Sequence, residues 1–230
     1  MTWQTDGVPQ ALQAPTRLTL APHPLGPASQ EDQPAWLAGP ILSNLDRRGI
    51  TEMEQKLSPD RGVMRSLAEL AEHRRWEIRR LALRACTHVA YFQPLISALR
   101  DKDLYSRWYQ VFVPELTEAV ARDPVAASTV RKTFEKTRGD AAAELYRMLW
   151  GYSREDLIGG EAGKLVEYLN HDDLDFRVLS FGNLQNITDL GLNYRPQDSQ
   201  LQRKQSYERW KKKAEKGEIV PDSTAGPETN

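Results

Sequence analysis

The chain has one cysteine, Cys86, among 230 residues, so no disulfide framework can form within it. No stretch approaches the roughly 18 continuous apolar residues of a membrane span. Charge of one sign is also missing: 31 Lys and Arg stand against 32 Asp and Glu, a net charge of −1. That balance excludes a wholly basic nucleic-acid protein and a supercharged acidic tail. The opening MTWQTDGVPQ has neither the basic segment nor the apolar stretch of a secretory leader, so the expected location is the cytoplasm. There are four histidines, His23, His73, His88 and His171, with no HExxH pair and no zinc pattern with Cys86. No segment shows convincing period-two alternation. What remains is 40% hydrophobic and 27% charged residues, enough to build a core.

Residues 1–40 hold seven of the fourteen prolines, from Pro9 to Pro40. Proline at that density breaks helix and sheet alike, so these residues read as an extended or disordered arm. Trp36, Leu37, Ile41, Leu42 and Leu45 suggest a short docking helix at its end. Residues 41–216 read as one helical domain and 217–230 as a flexible tail. Within the domain, RWEIRRLALRACTHVA (75–90) places Ile78, Leu81, Ala82, Ala85, Cys86 and Val89 on one arc of a helix. Glu77, Arg80, Arg84, Thr87 and His88 fall on the opposite arc. Further helices are expected over 62–72, 94–101, 104–121, 125–137, 140–150, 161–170, 174–188 and 198–216, so the fold class is all-α.

Three segments resemble one another: LAELAEHRRWEIR (67–79), LISALRDKDLYSR (95–107) and LVEYLNHDDLDFR (165–177). The last two lie 70 residues apart, two units of 35. The slot for the missing unit falls at 130–142, where Val130 and Phe134 fit but Ala142 replaces the arginine. Each unit is helix, tight polar turn, helix, and neither helix can bury its apolar face alone, so units must stack. Arg79, Arg107 and Arg177 each follow a bulky apolar residue by three positions. A buried guanidinium needs a partner, and the turn residues Asp101, Asp103 and Asp173 are the natural ones. The expectation is therefore a structural ladder of turn aspartate to helix arginine.

DKDLYSR and HDDLDFR resemble the turn-plus-arginine pattern of HEAT-type α-solenoid repeats over roughly residues 60–190. HRRWEIR departs from it by carrying His73 and Arg75 where the acids would be. The resemblance implies a HEAT-like, armadillo-like solenoid of about four helical pairs with a disordered N-terminal arm and a C-terminal capping helix. The stretch LVEYLNHDDLDFRVLSFGNLQNITDLGLNYRP, with the basic helix that follows, also resembles the C-terminal helical region of a group of bacterial proteins, some carrying a FecR-like regulatory domain. No such domain is visible in this sequence.

Chemistry is sparse. Gly159, Gly160 and Gly163 precede a helix, but Lys164 is followed by Leu165 and no strand leads in, so a phosphate loop is excluded. Asp172, Asp173, Asp175 and Asp189 lack the spacing of a calcium loop. Cys86 sits on an apolar arc away from His88 and reads as an inert buried thiol. No catalytic, cofactor or metal residues are assigned, and the chain reads as a non-enzyme without cofactor. Charge is nonetheless polarised. Residues 61–84 carry seven arginines against three glutamates, 201–216 seven basic residues against two glutamates, and 152–189 eight acids against three bases. Arg80, Arg84 and His88, at i, i+4 and i+8, form the candidate partner-binding stripe. The favoured expectation is a protein- or peptide-binding scaffold. The alternative is a nucleic-acid binder using the basic segments 61–84 and 201–216. In the last helix Tyr207 and Trp210 share one face and read as the cap.

Overall fold

The computed structural model describes residues 2–5, 8–11, 43–57, 60 and 62–221. The chain divides into two units between Leu42 and Ser43. In the first unit, β1 (Thr2–Thr5) and β2 (Val8–Ala11) pair antiparallel, with Thr2 opposite Ala11 and Gln4 opposite Pro9. This hairpin comprises residues 2–5 and 8–11 of the expected extended or disordered arm. In a two-stranded ribbon every strand is an edge strand, so the N–H that Pro9 lacks is tolerated. The docking helix expected around Trp36, Leu37, Ile41 and Leu42 lies outside the described residues.

The second unit is helical, with no strand among its described residues. It opens with α1 (Asn44–Lys56), which the sequence pattern did not signal. Ser43 caps it by accepting the Asp46 amide at 3.1 Å. The segment NLDRRGITEMEQK has so few apolar residues that its helical period is faint. Met53 and Leu57 nevertheless pack on Leu70, Ile78 and Ala82. Those three belong to α2 (Val63–Ala71) and α3 (Trp76–His88). Leu83 and Thr87 are also buried on α3, because α1, α2, α4 and α5 all lean on it, whereas Val89 is exposed.

Next come α4 (Gln93–Ala98), a 3-10 turn (Lys102–Arg107), a π-type turn (Trp108–Phe112) and α5 (Val113–Arg122). The single helix expected over 104–121 is thus broken. Pro114 has no N–H to donate one turn back, and the ladder shifts so that the Val113 amide reaches the Trp108 carbonyl. The chain continues through α6 (Pro124–Arg138), α7 (Ala142–Arg147), α8 (Arg154–Asp156), a second π-type turn at Leu157–Glu161, α9 (Ala162–Tyr168), α10 (Leu174–Thr188) and α11 (Gln200–Glu215). Gly160 turns the chain into α9 at φ 115°, a conformation open to glycine and strained for other residues.

The three similar segments share one local device. The Nδ1 of His73 accepts the Arg75 amide at 3.2 Å, and the Nδ1 of His171 accepts the Asp173 amide at 3.0 Å. Asp101, at the same position of the middle segment, accepts the Asp103 amide through Oδ1 at 3.0 Å. Each side chain satisfies an amide at the start of the second helical stretch, as an N-cap does. The three similar segments therefore share a turn acceptor, His73, Asp101 and His171.

The expected aspartate–arginine ladder does not form. Arg177 is buried, but it donates to the carbonyls of His171 and Asp172, at 2.6 Å each, and of Pro196 at 2.9 Å. The carbonyls leaving α9 have no helical partners, and a forked guanidinium satisfies two at once. Arg107 lies over the Trp76 ring at 4.6 Å and donates to Gln110. Arg79 is half-buried, and its Nε has no hydrogen bond among the described residues. Asp101 and Asp103 are exposed. Asp173 pairs instead with Arg138, whose Nη2 reaches Oδ2 at 2.7 Å. The Arg138 Nε also lies 2.7 Å from Oδ2 of Asp175, an ion contact without hydrogen-bond alignment. Ala142 stands where the similar segments carry an arginine, and Arg138, about one turn earlier, faces Asp173 and Asp175.

Nearly every side chain from Asp175 to Leu184 of α10 is buried. Helices α9 and α7 cover part of it. The rest is covered by Tyr109, whose hydroxyl donates to Val178 O at 3.0 Å, and by Tyr194, which packs on Phe181. A Cβ on Gly182 would stand 3.0 Å from the Tyr109 ring, so a larger residue there would press on that tyrosine. Helix α11, the expected cap, packs on α9, with Trp210 fully buried and Tyr207 half-buried. Ile219 is buried too, so the packed chain runs beyond the expected boundary at 217. Residues 222–230 of the expected tail lie outside the described residues.

Candidate functional site

A groove of about 1120 Å³ lies between the C-terminal half of α6, α7 and the 148–156 segment. It opens beside residues 130–142, where the sequence departs from the three similar segments. Ala142, standing where an arginine stands in the neighbouring units, lines it. Arg131 and Glu135 present one wall from α6, one helical turn apart and 2.9 Å from each other. Tyr146, Arg147, Trp150, Tyr152 and Asp156 form the other wall.

That second wall is pinned by Arg147. Its guanidinium lies over the Tyr152 ring at 4.2 Å, donates to the Gly151 carbonyl at 2.5 Å and reaches Asp156 at 3.1 Å. Asp156 and Ser153 cap each other: the Ser153 amide donates to Oδ2 at 3.0 Å and the Asp156 amide to Oγ at 3.1 Å. Those bonds from Ser153, with Arg147 beside them, hold the Asp156 carboxyl below the usual range. Burial pushes the Tyr152 hydroxyl up to about 12, so it is neutral at physiological pH. Trp150 stands edge-on to Tyr146, with centroids 5.9 Å apart, and remains 59% exposed.

The candidate stripe of Arg80, Arg84 and His88 lies elsewhere, on α3. Arg80 is occupied by Asp46 of α1 at 2.8 Å, while Arg84 and His88 are exposed without an ion partner among the described residues. Arg75 of the same basic segment is held by Glu52 at 2.8 Å. Helix α1 therefore neutralises part of the 61–84 charge. In 201–216, Lys211 and Lys212 are exposed and Lys213 pairs with Glu218 at 2.8 Å. The groove was missed because its residues scatter over 131–156 without a motif. The one sequence signal was the departure from the repeat at Ala142.

Among the described residues no group of His, Cys, Asp and Glu is placed to hold a metal ion. No described helix is long and apolar enough to cross a membrane. Cys86 is fully buried, and burial pushes its thiol up to about 11. A thiol reagent such as Ellman's should leave the native protein unmodified and titrate one thiol in denaturant. Rapid reaction of the native protein would refute the buried placement. Comparison with protein-family models, with curated proteins and with solved structures gives no match.

Proposed function

We propose that the chain is a non-catalytic adaptor that binds an extended peptide segment of another protein, on a short HEAT-like stack of about four helical pairs. The stacked-repeat reading is supported by the shared turn acceptors His73, Asp101 and His171. It is also supported by three side-chain bridges between positions 35 apart: Arg122 to Thr87, Arg138 to Asp173 and Asn183 to Met148. The binding reading rests on the groove. Its walls are fixed by hydrogen bonds and its exposed aromatics offer contact area at low entropic cost.

The nucleic-acid alternative needs a continuous basic track. The basic segments instead lie apart in the packing order, α2 and α3 against α1, and α11 against α9. Their test is joint. Peptides selected from a random display library on the folded protein should lose about tenfold in affinity on Trp150→Ala, with no change in Tm, because that ring is a central aromatic anchor with little packing. Selected peptides that bind Trp150→Ala and Ala143→Arg as well as the parent would remove the groove from the proposal. Salt-sensitive oligonucleotide binding, lost when Lys211, Lys212 and Lys213 are neutralised together, would put the alternative in its place.

A further inference from the structure

Resting on the groove reading above, we infer that the groove recognises a cationic side chain, a lysine or arginine carried by the bound peptide, between Trp150 and Asp140. Charge carries the first part. Glu135, Asp140 and Asp156 face Arg131 and Arg147 in this groove. Each guanidinium is already engaged, Arg131 with Glu135 and Arg147 with Asp156. Asp140 is exposed and has no ion partner among the described residues, so the lining carries one uncompensated negative charge. An anionic ligand would find both arginines occupied, whereas a cation meets a carboxylate that needs one.

The aromatic faces carry the second part. The Tyr152 face is taken by Arg147, so this wall already holds one guanidinium stacked on a ring. Tyr146 meets Trp150 through an edge contact at an interplanar angle of 83°, which leaves indole face open to solvent. A cation over an indole is attracted to the negative face of its π system, and tryptophan does this best among side chains. The repeat adds a third observation. Ala142 occupies the position of Arg107 and Arg177, and its small side chain lines the groove where those units carry their own cation.

The test uses the full chain and three fluorescein-labelled peptides of equal length, alternating glycine with lysine, serine or glutamate, followed by anisotropy. The lysine peptide should bind at least about tenfold more tightly than the serine peptide, and its binding should weaken with added salt. Asp140→Asn and Trp150→Ala should each weaken it about fivefold, and Asp140→Lys should abolish it. Trp150→Phe should fall between, since a smaller ring keeps part of the attraction. Both positions of change, 140 and 150, are exposed, so melting should match the parent, while Arg84→Ala should leave affinity unchanged. Equal binding of the serine or glutamate peptide overturns the cationic inference and leaves the groove reading standing. Lysine-peptide binding that survives Trp150→Ala and falls with Arg84→Ala overturns the placement. Binding by none of the three, with display-selected peptides also failing, overturns both readings.

Discussion

Arg138→Leu should cost the protein about 3–5 kcal/mol of folding free energy, read from urea denaturation at neutral pH. The Arg138 side chain is 10% exposed, and the Asp175 side chain it faces is 0% exposed. Removing the guanidinium strands a buried carboxylate and breaks the pair with Asp173, both of which join α6 to the α9–α10 turn. The pH dependence separates this from simple loss of packing. The hydrogen bond from Arg138 lowers the Asp173 pKa, so its contribution is present above the unfolded pKa and lost as pH falls through the folded one. Asp175 is shifted the other way. Burial raises its pKa despite Arg138, so its contribution is present below the unfolded pKa and lost as pH rises through the folded one. Without Arg138 the first contribution vanishes and the second shift grows. The deficit of Arg138→Leu should therefore be largest at neutral pH and shrink as acid protonates Asp175. Arg138→Leu combined with Asp175→Leu should recover most of the loss. A deficit independent of pH, unrelieved by the second change, would show that Asp175 is not the stranded group.

Trp210→Ala should cost about 3–5 kcal/mol by the same measurement. Trp210 is 0% exposed on the inner face of α11, and α11 closes the stack on α9. Its Nε1 is buried without a hydrogen bond among the described residues, so the loss is one of packing and cavity formation. Trp210→Phe keeps much of the ring and removes that unsatisfied N–H, so it should cost only about 1–2 kcal/mol. Neutralising Lys211 and Lys212, which point to water, should stay within about 0.5 kcal/mol for each. Lys213 contributes one surface pair with Glu218, worth about 0.2–1 kcal/mol. A Trp210→Ala variant that melts like the parent would remove α11 as a cap.

The sequence by itself determined the helical class and most element positions. Helical period is a local property, and α2, α3 and α5 carry it in their own residues, whereas α10 is apolar nearly all round. The likeness of three segments was legible in the sequence too, because each turn needs an acceptor for a free amide, and His73, Asp101 and His171 meet the same local need. What it left faint was α1, whose apolar face is only a few residues wide and becomes a helix face through Leu70, Ile78 and Ala82. Tertiary structure alone decided which charges meet. An arginine fork donates to carbonyls as readily as to carboxylates, so spacing could not tell that Arg177 would donate to the carbonyls of His171, Asp172 and Pro196, or that Asp173 would go to Arg138. It also decided where the groove lies. Tyr146, Trp150 and Asp140 share no motif, and only the packing of α6 against α7, with Ala142 in place of an arginine, brings an open indole and an uncompensated carboxylate into one concave site.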